Sequence, residues 1–202
     1  MKAVFGIYFR HHSMWIYFTV FFGLLALQLH WGVLLQNLPL AALLVFAPFY
    51  EWVVHKFFLH LEFQTRFPRF QAYLNSIHAG HHADPKNIPL CFAPVSIGLL
   101  VPIQAFLVGW AVTGQIHIGV GFAFVSEGYY LFYEWMHLAH HMEGYRPRFA
   151  WGGRVRRAHT WHHYKNENYW WGVTSNLGDR VLGTMPDPKE VDRSGTVKEI
   201  HA

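Results

Sequence analysis

The sequence predicts an all-α integral membrane protein, with about four transmembrane helices in two hairpins and a histidine-rich helical cap on one side of the bilayer. Three observations predict it. Charged residues make up only 14 % of the 202 residues while apolar residues reach 52 %; soluble chains carry about 25 % charge. No Asp, Glu, Lys or Arg occurs between Arg10 and Glu51, nor between Lys86 and Glu127, a gap of 40 residues each time. Eleven of the 16 histidines fall in four short stretches outside those gaps.

Each gap has the length of a helical hairpin. At 1.5 Å per residue, 40 helical residues measure about 60 Å, or roughly two crossings of a 30 Å hydrocarbon layer. The first hairpin comprises about residues 14–29 and 38–54, turning through "HWGVLLQNLP". The second comprises about residues 88–112 and 116–135, turning at "TGQIH". Pro89, Pro94 and Pro102 predict a kinked or partly re-entrant third span.

The positions of the cations predict orientation. Neither turn carries a formal charge, and every Lys and Arg lies in the N-terminal segment, in residues 55–87 or after residue 137. An even number of spans puts these on one side, which the positive-inside rule makes the cytoplasm, termini included. The net charge of +4 is small and scattered, which argues against nucleic acid and suits anionic lipid head groups. The start of the chain lacks a secretory cleavage pattern, so the first apolar run reads as a retained anchor. The one cysteine, Cys91, excludes an intramolecular disulfide. The whole chain reads as a single membrane-embedded domain, 1–202, with its core at about 40–186 and a polar, loose tail over 187–202.

The histidine stretches carry the chemistry. "HKFFLH" holds His55 and His60; "HAGHH" holds His78, His81 and His82; "HLAHH" holds His137, His140 and His141; "HTWHH" holds His159, His162 and His163. Helical residues turn about 100° each, so positions i+3 and i+4 flank position i on one face. The second and fourth boxes can each aim three imidazoles at one point, and His137 and His141 can do so as a pair. His55 and His60, at i and i+5, lie about 140° apart on an ideal helix. They converge only if the helix ends or distorts between them, or else they serve different ions. So many imidazoles exceed the four or fewer that one zinc ion takes, so two metal ions are expected; imidazole alone does not choose the element. His11, His12, His30, His117 and His201 read as interfacial polar residues, and His140 as an orienting neighbour.

The order HxxxxH, HxxHH, HxxxH, HxxHH resembles the fatty acid hydroxylase / sterol desaturase superfamily, and within it the fatty acid 2-hydroxylases. "HHYKNENYWWGVTSNLGDRVLGT" resembles that family's ending, through Gly172, Val173, Thr174, Asp179, Arg180, Gly183 and Thr184. The resemblance implies a four-helix membrane core, a histidine-bound dinuclear centre and O2-dependent oxidation of lipid C–H bonds. Carried over residue by residue, the implied metal ligands are His55, His60, His78, His81, His82, His137, His141, His159, His162 and His163. His140 competes with His141 in the third box. Eukaryotic fatty acid 2-hydroxylases often carry an N-terminal cytochrome b5 domain; here about ten residues precede the first span, so a separate electron-donor protein, cytochrome b5- or ferredoxin-like, is expected.

Attack on an unactivated C–H bond requires a redox metal, and zinc has no accessible couple. Two iron ions are therefore the implied cofactor and O2 the co-substrate, with zinc able to fill the same ligands in purified protein. No side-chain nucleophile or acid–base residue is required. Metal-bound imidazoles need partners at their other nitrogen; Glu51 and Glu134, each about one turn before a box, are candidates for orienting the rings, as is His140. Glu127 lies two turns before Glu134 on the same face and is expected to face protein. The substrate is expected to be a membrane lipid, a fatty acid or sphingolipid type, entering between helices past "NYWWG" and "FVSEGYYLFYEW". "RPRFAWGGRVRR" is expected to contact anionic lipid or an acidic redox partner. Carotenoid hydroxylases resemble the chain too, but tend to have an HxxxxH third box and a shorter gap than residues 61–77. A lipid or sterol desaturase would share the centre. A metal transporter would spread ligands through the bilayer, and a structural zinc site would leave most of these histidines unexplained.

Overall fold

The computed structural model describes residues 2–60 and 65–197, and among them every regular element is helical. His201 lies outside the described residues. The described residues form two compact units that alternate along the sequence: one from residues 2–47 and 94–135, the other from 48–60, 65–93 and 136–197.

The first unit is apolar. It contains helices Lys2–Tyr8, His12–His30, Leu34–Asn37, Val95–Gly98 and Leu100–Thr113, the 3-10 segment Leu38–Val45, and the first twenty residues of Ile116–His141. Helix ends fall inside both predicted turns. His12–His30 gives way to Gly32 at φ 67°, and Leu100–Thr113 to Gly114 at φ 69°, a left-handed conformation that glycine adopts without steric cost. Small residues allow close helix contact here: a β-carbon at Gly109 would lie 2.7 Å from Phe122, and one at Gly119 would lie 2.9 Å from the Phe106 carbonyl oxygen. Asn37 Nδ2 donates to Gln28 Oε1 and to the His117 carbonyl, both at 2.9 Å, so the buried Asn37 side chain meets an acceptor on each of two other segments.

Two helical stretches, His12–His30 and Ile88–Thr113, are long and apolar enough to cross a membrane, and Leu34–Val45 with Ala47–Leu59 makes a third if that bent pair is one span. The second stretch is interrupted into Ile88–Cys91, Val95–Gly98 and Leu100–Thr113; Pro94 lies in the first break, while Pro89 and Pro102 lie in the first turns of their elements, where no amide donor is needed. Ile116–His141 has 26 residues but carries Glu127, Glu134 and four histidines, and falls outside that description. Leu35 and Val112 are 78 % and 77 % exposed. Apolar side chains so uncovered suit hydrocarbon rather than water, consistent with a membrane protein.

The second unit holds all four histidine boxes. Its elements are residues 48–53 of helix Ala47–Val53, the π-helical segment Val54–Leu59, helices Pro68–Ile77 and Ala79–Ala83, the 3-10 turn Ile88–Cys91, the last six residues of Ile116–His141, and helices Ala150–Tyr164 and Leu177–Val181. The described part of the tail makes hydrogen bonds to Lys165 and Asn166. Ser194 N donates to the Lys165 carbonyl at 2.8 Å and Asn166 Nδ2 to the Asp192 carbonyl at 3.1 Å.

Candidate metal centre

The first box resolves its awkward spacing by distortion. Val54–Leu59 is a π-helix, and His60 N donates to the His55 carbonyl at 3.2 Å. An i→i+5 hydrogen bond widens the turn and stacks residue i+5 over residue i. His55 and His60 therefore share a face, their ring centroids 5.1 Å apart.

The second and fourth boxes depart from the expectation of three rings at one point. His78 and His82 join His55, His60 and His162 in one group, while His81 joins His137, His141, His159 and His163 in another. Within each group the ligand atoms lie within 4.8 Å of one another. Position i+3 sits about 60° to one side of position i and i+4 about 40° to the other. An HxxHH box thus sends its i, i+4 pair to one group and its i+3 ring to the other. The two boxes do this in opposite senses, so each group receives one such pair, one single ring and both rings of a third box.

The spacings fit metal ions. His55 Nε2 lies 3.0 Å from His78 Nε2, His60 Nε2 3.2 Å from His162 Nε2, and His141 Nε2 3.1 and 3.0 Å from those of His81 and His159. Imidazole nitrogens each about 2.0–2.1 Å from a shared ion lie about 2.8–3.4 Å apart. The Nε2 of His82 and both ring nitrogens of His163 are buried without a hydrogen-bond partner, a costly state that an ion would relieve. The donor set fits two metal ions.

The protonation states fit as well. Burial, reinforced by neighbouring rings, holds the imidazoles of His78, His81, His82, His159, His162 and His163 well below the ordinary value of 6.5. Neutral imidazole is the form that binds metal.

Backbone carbonyls orient the rings. His55 Nδ1 donates to the Trp171 carbonyl at 2.5 Å, His162 Nδ1 to that of Tyr169 at 2.8 Å, and His137 Nδ1 to that of Cys91 at 2.9 Å. A carbonyl only accepts, so each Nδ1 carries the hydrogen and each Nε2 keeps a free lone pair. His140 stands in neither group; its Nε2 donates to the Val173 carbonyl at 2.7 Å. Of His140 and His141, it is His141 that lies in a group, beside His137.

The carboxylates accept from backbone amides and hydroxyls. Glu51 is buried and accepts hydrogen bonds from the Val173 amide, the Thr174 amide at 3.0 Å and the Thr174 hydroxyl at 2.7 Å. Asp179, fully buried, accepts from the amides of Trp171 and Gly172 at 2.9 and 2.8 Å. Glu134 accepts from the Tyr130 hydroxyl at 2.5 Å within the apolar unit, where Glu127 is also fully buried. Arg156, in the basic run predicted to meet lipid or a redox partner, turns inward. It donates to the carbonyls of His140, Met142 and Tyr145, closing the end of the helix that carries the third box. Trp170 and Trp171 of "NYWWG" are buried. Sequence reasoning missed the orienting carbonyls, because every residue has one; the spacing Gly172…Asp179…Thr184 was the available signal.

The family model for fatty acid hydroxylases matches residues 40–184. Two dihydroceramide fatty acyl 2-hydroxylases of Arabidopsis thaliana are similar: FAH2, 29 % identical over 143 residues (69 % of this chain, 56 % of that protein), and FAH1, 27 % identical over 142 residues (70 % and 57 %). The chain thus spans little more than half the length of these relatives. A solved structure described as full-length scs7p, with only the hydroxylase domain visible, matches with a TM-score of 0.67 at 21 % identity, covering 88 % of this chain and 69 % of that one, a likeness of fold.

Proposed function

The chain belongs to the fatty acid hydroxylase family, and from that premise we propose that it is a membrane lipid hydroxylase, using O2 and two histidine-held iron ions to hydroxylate an acyl chain of fatty acid or sphingolipid type. The observation that carries this reading is the pair of five-histidine groups, each with its ligand atoms within 4.8 Å. His55, His60, His78, His82 and His162 would hold one ion, and His81, His137, His141, His159 and His163 the other. A bound iron pair would supply the O2-dependent oxidation of a C–H bond that side chains alone cannot perform. The chain's own residues bury most of the rings, present neutral imidazoles and hold each Nδ1 hydrogen of His55, His137 and His162 on a carbonyl.

The two relatives' acyl 2-hydroxylase names favour a lipid acyl chain as substrate. Electrons would come from a cytochrome b5- or ferredoxin-like donor. In the membrane, four spans with both termini and all histidine boxes on the cytoplasmic side best account for the uncharged turns and the one-sided cations; Ile116–His141 supplies the fourth.

Protein purified from iron-replete cells should carry about two irons per chain, and its lipid product should take label from 18O2. Label arriving from water would overturn the reading, and an unlabelled alkene product would move it to desaturation. His162→Ala should abolish turnover while the protein still inserts; unchanged turnover would remove His162 from the metal shell.

A further inference from the structure

The two histidine groups are steadied by different stretches of backbone. His55 and His162 of one group donate to the carbonyls of Trp171 and Tyr169, and the Trp171 ring lies 5.5, 4.7 and 5.1 Å from those of His55, His60 and His162. In the other group His137 donates to the Cys91 carbonyl. The Tyr169–Gly172 stretch thus serves the first group.

That stretch does not hold its shape unaided. Trp170 has φ 58°, a left-handed conformation that is strained for a bulky residue. Thr184 and Asp179 maintain it. Trp170 N donates to the Thr184 carbonyl at 3.0 Å, and Thr184 N to the Asp179 carbonyl at 2.8 Å. The Thr184 hydroxyl donates to Asp179 Oδ1 at 2.6 Å and accepts from Trp52 Nε1 at 2.8 Å.

Asp179 Oδ1 takes the Trp171 amide and Oδ2 the Gly172 amide. The Gly172 N–H and the Trp171 C=O belong to one peptide group, and in a trans peptide they point in opposite directions. The carboxylate holding the N–H on one side therefore aims the C=O at His55 on the other. We infer that Asp179 is a positioning residue which, through the Trp171–Gly172 peptide, fixes the direction of His55 and so sets the affinity of one metal site, that of His55, His60, His78, His82 and His162, leaving the other site unchanged. The inference rests on the metal-centre reading above.

The full chain, stripped of metal in detergent, is titrated with Co2+ against a competing chelator. Wild-type protein should bind two Co2+ ions. Asp179→Asn can accept only one of the two amide bonds, and loss of such outer contacts costs about 10–100-fold in metal affinity. One Co2+ should weaken by that factor and the other should bind as in wild type. Equal weakening of both, as a general loss of structure would give, overturns the inference, as does no weakening. In a His163→Ala background, which disables the other site, the one remaining Co2+ should carry the whole effect. If Asp179→Asn does not accumulate, Thr184→Val replaces it, removing one donor to the carboxylate. A loss of a few-fold confined to one Co2+ supports the inference; loss at both or neither overturns it. Wild-type protein that binds no Co2+ would instead overturn the metal-centre reading itself, and the inference with it.

Discussion

A methyl group at Gly172 would lie 2.1 Å from the Ser175 carbonyl oxygen and 3.0 Å from Asp179 Oδ2. Neither neighbour can withdraw: one is backbone and the other belongs to a carboxylate whose two oxygens each hold an amide. Gly172→Ala should cost about 1–3 kcal/mol by overpacking and shift the Trp171 carbonyl from His55, so thermal stability and metal content should both fall. The contrasting control is Gly153→Ala, inside helix Ala150–Tyr164, where the nearest atom to an added methyl is Arg157 Nη1 at 3.7 Å. It should be neutral or stabilising by up to about 1 kcal/mol; a Gly153→Ala variant as damaged as Gly172→Ala would refute the steric argument. At this scale the sequence was only partly legible. His140 and His141 are neighbours, and which ring faces the other boxes depends on the rotation of helix Ile116–His141, which no short motif records.

The π-turn between His55 and His60 shows how an element can decide a site. Six residues reveal the i, i+5 spacing but not whether the chain spends it on a helix end, a distortion or two separate ions. The distortion behaves as one residue added to an α-helical turn. Deleting Phe58, whose side chain is 67 % exposed, should restore an α-turn with the two histidines at i and i+4, still on one face, and both Co2+ sites should survive in the titration. Inserting an alanine between Phe57 and Phe58 should carry the second histidine about 100° further round and weaken the site containing His55. Loss on deletion with retention on insertion would contradict this account. The HxxHH boxes were legible in the same partial way. The roughly 100° between i+3 and i+4 was available from their spacing, yet one destination or two could be decided only once the other boxes stood opposite.

At the scale of the whole chain, the charge-free gaps marked the apolar stretches and the boxes marked the chemistry, because burial in hydrocarbon and ligation of metal each demand a composition of their own. The interleaving of two units, 2–47 with 94–135 and 48–60 and 65–93 with 136–197, was not marked, since it arises from long-range packing. Gathering so many imidazoles into one buried unit has a consequence for acid stability. Folding holds seven of them, His78, His81, His82, His141, His159, His162 and His163, neutral well below 6.5. Above pH 6.5 they are neutral folded or unfolded and the pH has no leverage through them. Below it the unfolded chain binds protons that the folded chain refuses, so stability falls with pH until the depressed folded values are reached. Each group contributes up to about 1.4 kcal/mol per pH unit, and a few acting together rival a typical total stability of about 5–15 kcal/mol. Metal-free protein should therefore lose the fold of its histidine unit between about pH 6.5 and 5, read as a change in tryptophan emission, since Trp171 lies against three of the box histidines. Metal bound to the neutral rings opposes their protonation, so the loaded protein should withstand a lower pH. Metal-free protein that keeps its native emission to pH 4 would mean that the rings protonate in place, and that water reaches the centre.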